Sequence, residues 1–148
     1  MTQARVPLPT APIVIVEDDP NDELLTTRAL SRSGAPNPVQ VLRDGQEAVD
    51  WLIRHCDTAP PGHVPAFVLL DLKLPKLDGA EVLASLRAHA STRHLAVVVF
   101  SSSDDQNDVR RCLDGRANAY VQKPIDYERY RGAVRSIAEF WGGLNVNA

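Results

Sequence analysis

The chain has 148 residues, 44% of them apolar, with 16 Lys and Arg against 19 Asp and Glu for a net charge of −3. That length suits one domain and that apolar share can fill its core, which excludes a disordered chain. The mildly acidic balance excludes a dedicated nucleic-acid or membrane-surface binder, because both need a concentrated positive field.

In chain order, residues 1–11 come first and read as a short flexible leader of a cytoplasmic protein, with no apolar stretch long enough for a signal peptide. The first strand is expected at Ile13–Val16. A helical period through Leu24, Leu25, Arg28 and Ala29 follows, closed by Gly34 and Pro36. Val39–Leu42 is a weaker strand, and Asp44-Gly45 starts a helix through Ala48, Val49, Leu52 and Ile53. The stretch His55–Pro65, rich in Pro, reads as a long irregular connection.

Phe67–Leu70 is the third strand, and Asp78 caps a helix carrying Val82, Leu83 and Leu86. Val97–Phe100 is the fourth, within the longest unbroken apolar run, Leu95–Phe100, which is far too short to cross a bilayer. Asp104-Asp105 then starts a helix through Val109, Cys112 and Leu113. Ala119–Gln122 is the last strand, and Tyr127, Tyr130, Val134, Ile137 and Trp141 recur at helical spacing after it. Apolar runs without alternation suit strands covered on both faces. Strand and helix therefore alternate through an α/β domain with a parallel sheet. Cys56 and Cys112 form no C-x-x-C pair and read as buried thiols of a reducing compartment, not as a disulfide or metal pair.

The polar residues that follow the strands carry the chemistry. Glu17, Asp18 and Asp19 follow the first, Asp71 the third, Ser101–Ser103 the fourth and Lys123-Pro124 the fifth. In a parallel sheet these positions share the carboxyl edge, where open α/β sheets hold their ligands. Carboxylates crowded there repel one another unless a cation joins them, and magnesium is the hard divalent ion that one or two carboxylates with a phosphate oxygen hold. Lys123 then calls for an anion, best met by a phosphoryl group. Taken singly, Asp18, Asp19 and Asp22 are equally readable as helix caps, and Ser101–Ser103 as a loop. Asp71 differs, because it interrupts an apolar run where a lone charge is expensive to bury.

Glu17-Asp18-Asp19, Leu70-Asp71-Leu72-Lys73-Leu74-Pro75, Asp78-Gly79, Ser101 and Tyr120-Val121-Gln122-Lys123-Pro124 resemble the receiver domain of two-component response regulators, over residues 12–141 with a tail at 142–148. The resemblance implies a flavodoxin-like (βα)5 fold, a doubly wound parallel five-stranded sheet in the order 2-1-3-4-5. It implies that Asp71 accepts a phosphoryl group from a sensor histidine kinase. Magnesium would be held by Asp18, Asp71, the Lys73 backbone carbonyl and, through water, Glu17. Lys123 would pair with a phosphoryl oxygen, with Ser101 and Tyr120 as the switch pair. The Lys73 side chain would point outward and influence acyl-phosphate hydrolysis.

The Glu17–Asp22 start, the Pro-rich segment and the ending Glu139-Phe140-Trp141 are similar to single-domain regulators paired with bacterial phytochromes, which implies a bacteriophytochrome as the kinase. The same resemblance implies a homodimer through the helix 4 and helix 5 faces. Trp141 either feeds that interface or closes the core, and the sequence supports both equally. Arg129, Arg131 and Arg135 read as a solvated or inter-subunit face, not a nucleic-acid patch.

The run Asp114-Gly115-Arg116-Ala117-Asn118 departs from the family's Gly-Ala-Asn, so a different end to helix four is expected. With nothing after Ala148 for an output domain, output is expected through protein contact or as a phosphate sink. A magnesium-dependent aspartyl phosphohydrolase is the alternative, but it needs a second acid where Lys73 stands. A flavin binder needs a phosphate-cradling loop where Glu17-Asp18-Asp19 would repel the phosphate.

Overall fold

The structure is a computed structural model that describes residues 9–144. The first eight residues of the expected leader and the last four of the expected tail lie outside the described residues.

Five strands, β1 (Ile13–Val16), β2 (Val39–Leu42), β3 (Phe67–Leu70), β4 (Val97–Ser101) and β5 (Ala119–Gln122), alternate with α1 (Pro20–Arg32), α2 (Gly45–Thr58), α3 (Gly79–Ala88), α4 (Gln106–Asp114) and α5 (Tyr127–Glu139). All pairings are parallel, in the order β2-β1-β3-β4-β5. Every expected strand is present, and β4 runs one residue further, to Ser101. The doubly wound, flavodoxin-like architecture follows.

Side chains alternate across a pleated strand, so each central run is divided between two cores. Ile13, Ile15, Phe67, Leu69, Val98 and Phe100 face α1 and α5, where Leu30, Tyr130, Val134 and Ile137 cover them. Val14, Val16, Val68, Leu70 and Val97 face α2 and α3, beneath Leu52, Val82, Leu83 and Leu86. This two-sided burial is why β1, β3 and β4 show no polar alternation, whereas the edge strands β2 and β5 are only partly covered.

An aspartate caps the start of each of these five helices. Asp19, Asp44, Asp78, Asp105 and Asp126 each accept backbone N–H bonds from the first turn, and Asp78 forms a reciprocal capping box with Glu81.

The Pro-rich stretch is shorter than expected. Residues His55–Thr58 complete α2, because His55 stacks on Trp51 one turn earlier and Thr58 Oγ1 donates to the Arg54 carbonyl. Pro60 then stops the helix, since proline has no N–H to continue the ladder.

At the other end, α5 passes into a π-helical turn over Phe140–Leu144. There Trp141 packs against the α1/α5 core and so closes it, leaving Tyr127 and Phe140 as the exposed aromatic groups of this helix and its turn. Arg131 and Arg135 pair with Glu128 and Glu139 of their own helical segment, which neutralises most of the basic face.

At the end of α4 the left-handed position falls one residue after the glycine. Gly115 keeps φ at −74°, and Arg116 adopts the left-handed conformation at φ 67°. The Ala117 N–H donates to Cys112 O and the Arg116 N–H to Leu113 O, which completes a Schellman turn. Arg87 reinforces the turn from α3. All five of its N–H donors go to acceptors, namely the carbonyls of Arg93, Leu95 and Arg116 and the side-chain oxygen of Asn118.

Candidate phosphoacceptor site

The register that builds the sheet also assembles the site. Val16 is level with Leu42 and Leu70, and Ser101 with Gln122. Backbone bonds then extend the ladder one residue past the strands. The N–H of Glu17 donates to Leu42 O, that of Asp71 to Val16 O and that of Lys123 to Ser101 O. Glu17, Asp71, Ser101 and Lys123 are therefore placed on one sheet edge by main-chain geometry before any side chain makes contact.

The side chains meet there. Lys123 Nζ lies 2.6 Å from Glu17 Oε2, 2.9 Å from Asp22 Oδ2 and 3.4 Å from Asp71 Oδ2. The lysine side chain is 5% exposed, that of Glu17 4% and that of Asp71 12%. Both carboxylates are also oriented by backbone amides, Glu17 Oε1 by Asp19 N and Asp71 Oδ1 by Leu72 N. Carboxylate oxygens of Glu17, Asp18 and Asp71 lie within 4.8 Å of one another. Glu17, Asp22 and Asp71 thus surround one ammonium, and Asp18 adds a fourth carboxyl group to the cluster.

That imbalance is visible in the acid–base behaviour. Burial pushes the Glu17 carboxyl up to about 7, helped by the neighbouring charge of Asp71 and opposed by the Lys123 hydrogen bond. Burial pulls the Lys123 ammonium down, but its bonds to Glu17 and Asp22 and the charge of Asp71 outweigh this and hold it above its ordinary value. The bowl thus keeps its lysine charged and carries surplus carboxylate oxygen. Hard oxygen donors crowded in this way fit a divalent cation such as magnesium.

Ser101, Tyr120 and Lys73 stand apart from that cluster. Ser101 is buried, and its hydroxyl accepts the Ser103 N–H, turned toward its own loop. The Tyr120 hydroxyl donates to Ser103 O, and its ring packs with Leu72, Val99 and Cys112. Ser103 therefore bonds to both members of the expected switch pair. Its own hydroxyl donates to Asp108 in the first turn of α4. Lys73 is exposed, two residues beyond Asp71.

Among the three acids readable as caps, the structure separates the roles. Asp19 caps α1, Asp18 joins the acidic cluster and Asp22 bonds to Lys123. The Asp22 contact was not legible as a site feature. The available signal was its place three residues after the cap, in the helical turn that overhangs the strand edge.

Acidic residues after β1 and β3 with a lysine after β5, on a parallel sheet of this order, define a receiver domain. The chain belongs to the response regulator receiver domain family, whose model matches residues 13–135. Response regulators of this kind are signalling proteins. The chain is 38% identical over 133 residues to the probable methanogenesis regulatory protein FilR2 of Methanothrix harundinacea strain 6Ac, covering 90% of this chain and 84% of that one.

Among solved structures it is similar to the phosphorylated cyanobacterial phytochrome response regulator RcpA. The match has a TM-score of 0.83 at 33% identity and covers 93% of this chain and 98% of that one. It is also similar to the bacteriophytochrome response regulator AtBRR, with a TM-score of 0.67 at 39% identity over 92% and 98% of the two chains. None of the described helices is long and apolar enough to cross a membrane.

Proposed function

We propose that Asp71 is the phosphoacceptor of this response regulator and that a phosphohistidine of a sensor kinase is the donor. The observation that carries this reading is the juxtaposition of Asp71 Oδ2 with the buried Lys123 ammonium, beside the surplus oxygens of Glu17 and Asp18. An Asp71 oxygen attacks phosphorus as the phosphorus–nitrogen bond breaks, and the electron pair leaves on the imidazole. Lys123 donates an N–H to the incoming phosphoryl oxygens. Magnesium would be held by Asp18, Asp71, the Lys73 carbonyl and, through water, Glu17, and when bound it supplies neutralisation of phosphoryl charge. Ser101 and Tyr120 act as the switch pair, and their shared bonding to Ser103 supports that coupling.

The kinase is a bacteriophytochrome. The likeness to RcpA and AtBRR supports this, as regulators named for phytochromes. Ile125, fully exposed two residues beyond Lys123, supplies apolar surface at the lip of the site across which a donor protein approaches. The protein works in the cytoplasm, and its two free, buried cysteines agree with a reducing compartment. It is not a turnover enzyme: lysine, with no proton-donating acid, stands two residues after Asp71, which leaves the aspartyl phosphohydrolase reading disfavoured.

Intact-protein mass spectrometry after incubation with kinase and magnesium should show one added phosphoryl group, none in Asp71→Asn and none after chelation. Labelling of the Asp71→Asn protein would sink the assignment.

The same proposal includes a homodimer through the faces of α4 and α5. Exposed Leu113 on α4, and Tyr127 and Phe140 on α5 and its turn, support it. Light scattering should give twice the chain mass, and Leu113→Asp should lower it. A monomer at high concentration would dismiss the dimer.

A further inference from the structure

Asp22 belongs to the site without belonging to its metal cluster. Among the described residues, the carboxylates close enough to share a cation are Glu17, Asp18 and Asp71, and Asp22 stands outside that group. Its Oδ2 instead takes one of the three hydrogen bonds that Lys123 makes, at 2.9 Å. We infer that Asp22 is a positioning residue for Lys123, holding the ammonium in place when Glu17 and Asp71 turn to other partners. This deepens the phosphoacceptor reading and rests on it.

The three bonds of Lys123 have different prospects during phosphorylation. The longest, 3.4 Å to Asp71 Oδ2, runs to the group that carries the new phosphoryl oxygens. The shortest, 2.6 Å, runs to Glu17, a member of the cation-binding cluster, whose attraction is shared once a cation arrives. The Asp22 bond is the one that neither event disturbs.

Its geometry is also well supported. Asp22 lies in the first turn of α1, and its backbone N–H donates to the cap Asp19. Four residues on, Thr26 meets the Tyr130 hydroxyl at 2.7 Å, and the Tyr130 ring packs edge-on against Phe100, which docks α1 on α5 and the sheet. At 28% exposure the Asp22 carboxylate keeps part of its hydration, so it is a low-cost partner for a buried ammonium. A reacting group displaced by a fraction of an ångström loses much of its effect, which is why a second anchor matters.

Two measurements on the full chain test this. In metal-free protein, the Lys123 ammonium should give a slowly exchanging nitrogen–proton NMR signal, because all three of its donors are bonded. Asp22→Ala should abolish that signal and Asp22→Asn, which keeps an acceptor oxygen, should restore it. With acetyl phosphate and magnesium, Asp22→Ala should be phosphorylated about tenfold more slowly than wild type, and Asp22→Asn should recover most of that loss.

Calorimetric magnesium affinity should fall by less than about threefold in Asp22→Ala, against more than about tenfold in Asp18→Ala. An unchanged ammonium signal and rate in Asp22→Ala would overturn the inference. So would Asn behaving like Ala, or a loss of magnesium affinity as large as that of Asp18→Ala. If wild type itself takes no phosphoryl group, the phosphoacceptor reading fails, while the NMR comparison still decides whether Asp22 holds Lys123.

Discussion

Gly79 lies so close to Asp71 that a β-carbon on it would stand 2.5 Å from the Asp71 carbonyl oxygen and 2.8 Å from Leu72 Cα. The Gly79 N–H also donates to Leu72 O at 2.6 Å, so the start of α3 is clamped onto the chain that carries Asp71. The loop between β3 and α3 has room for hydrogen alone at this position.

Gly79→Ala should therefore act on the site as well as on the fold. The obstacle is backbone, which cannot rotate away as a side-chain tip can. A cost of about 2–3 kcal/mol is expected from overpacking, measured by chemical denaturation. Phosphorylation of Asp71 should fall with it even in the folded fraction. Wild-type stability and phosphorylation in Gly79→Ala would refute the close approach.

Arg116 offers the opposite experiment. A residue with a β-carbon in the left-handed region carries a steric penalty that glycine lacks. The contacts made at Arg116 come from its backbone: its N–H closes the Schellman turn and its carbonyl accepts from Arg87. Arg116→Gly should preserve both and stabilise the protein by about 0.5–1 kcal/mol. For a domain of this size that is a rise in melting temperature of about 1–4 °C. A lower melting temperature would mean that the side chain contributes more than the strain removes.

Alkaline solution should expose a third property. Burial pushes the Cys56 thiol from 9.0 up to about 12, the Cys112 thiol from 9.0 up to about 11, and the Tyr130 hydroxyl from 10.0 up to about 12. For each, the folded protein holds its proton more tightly than the unfolded chain. The stability this represents is fully present below about pH 9 and is lost as pH rises toward 11–12. Denaturation midpoints should thus decline from about pH 9 upward, and iodoacetamide at pH 8 should label neither thiol of the native protein. A flat stability profile across that range, or rapid labelling at pH 8, would contradict the burial.

Much of this molecule was written in local pattern. Ile13–Val16, Phe67–Leu70 and Val97–Phe100 are short apolar runs without alternation, and two-faced burial in a parallel sheet is the structure that uses them fully. The Asp caps were legible for the same reason: a helix start needs an acceptor for its free amides, and Asp44, Asp78 and Asp105 stand where each period begins. Since a parallel sheet brings its strand ends to one edge, the residues following those runs and the edge strand Ala119–Gln122, Asp71 and Lys123 among them, were placed at one site by order along the chain.

Tertiary packing decided the rest. Which of Asp18, Asp19 and Asp22 capped the helix, joined the acidic cluster or bonded to the lysine depended on how α1 seats against β5 and α5. That angle is set by contacts such as Thr26 with Tyr130, 104 positions apart. Trp141 closing the core, and not standing free, likewise depended on the π-helical turn that brings it back over the sheet. Periodicity reports which side of an element is apolar. The partner a particular side chain meets is set by distances between elements, and those exist only once the chain has folded.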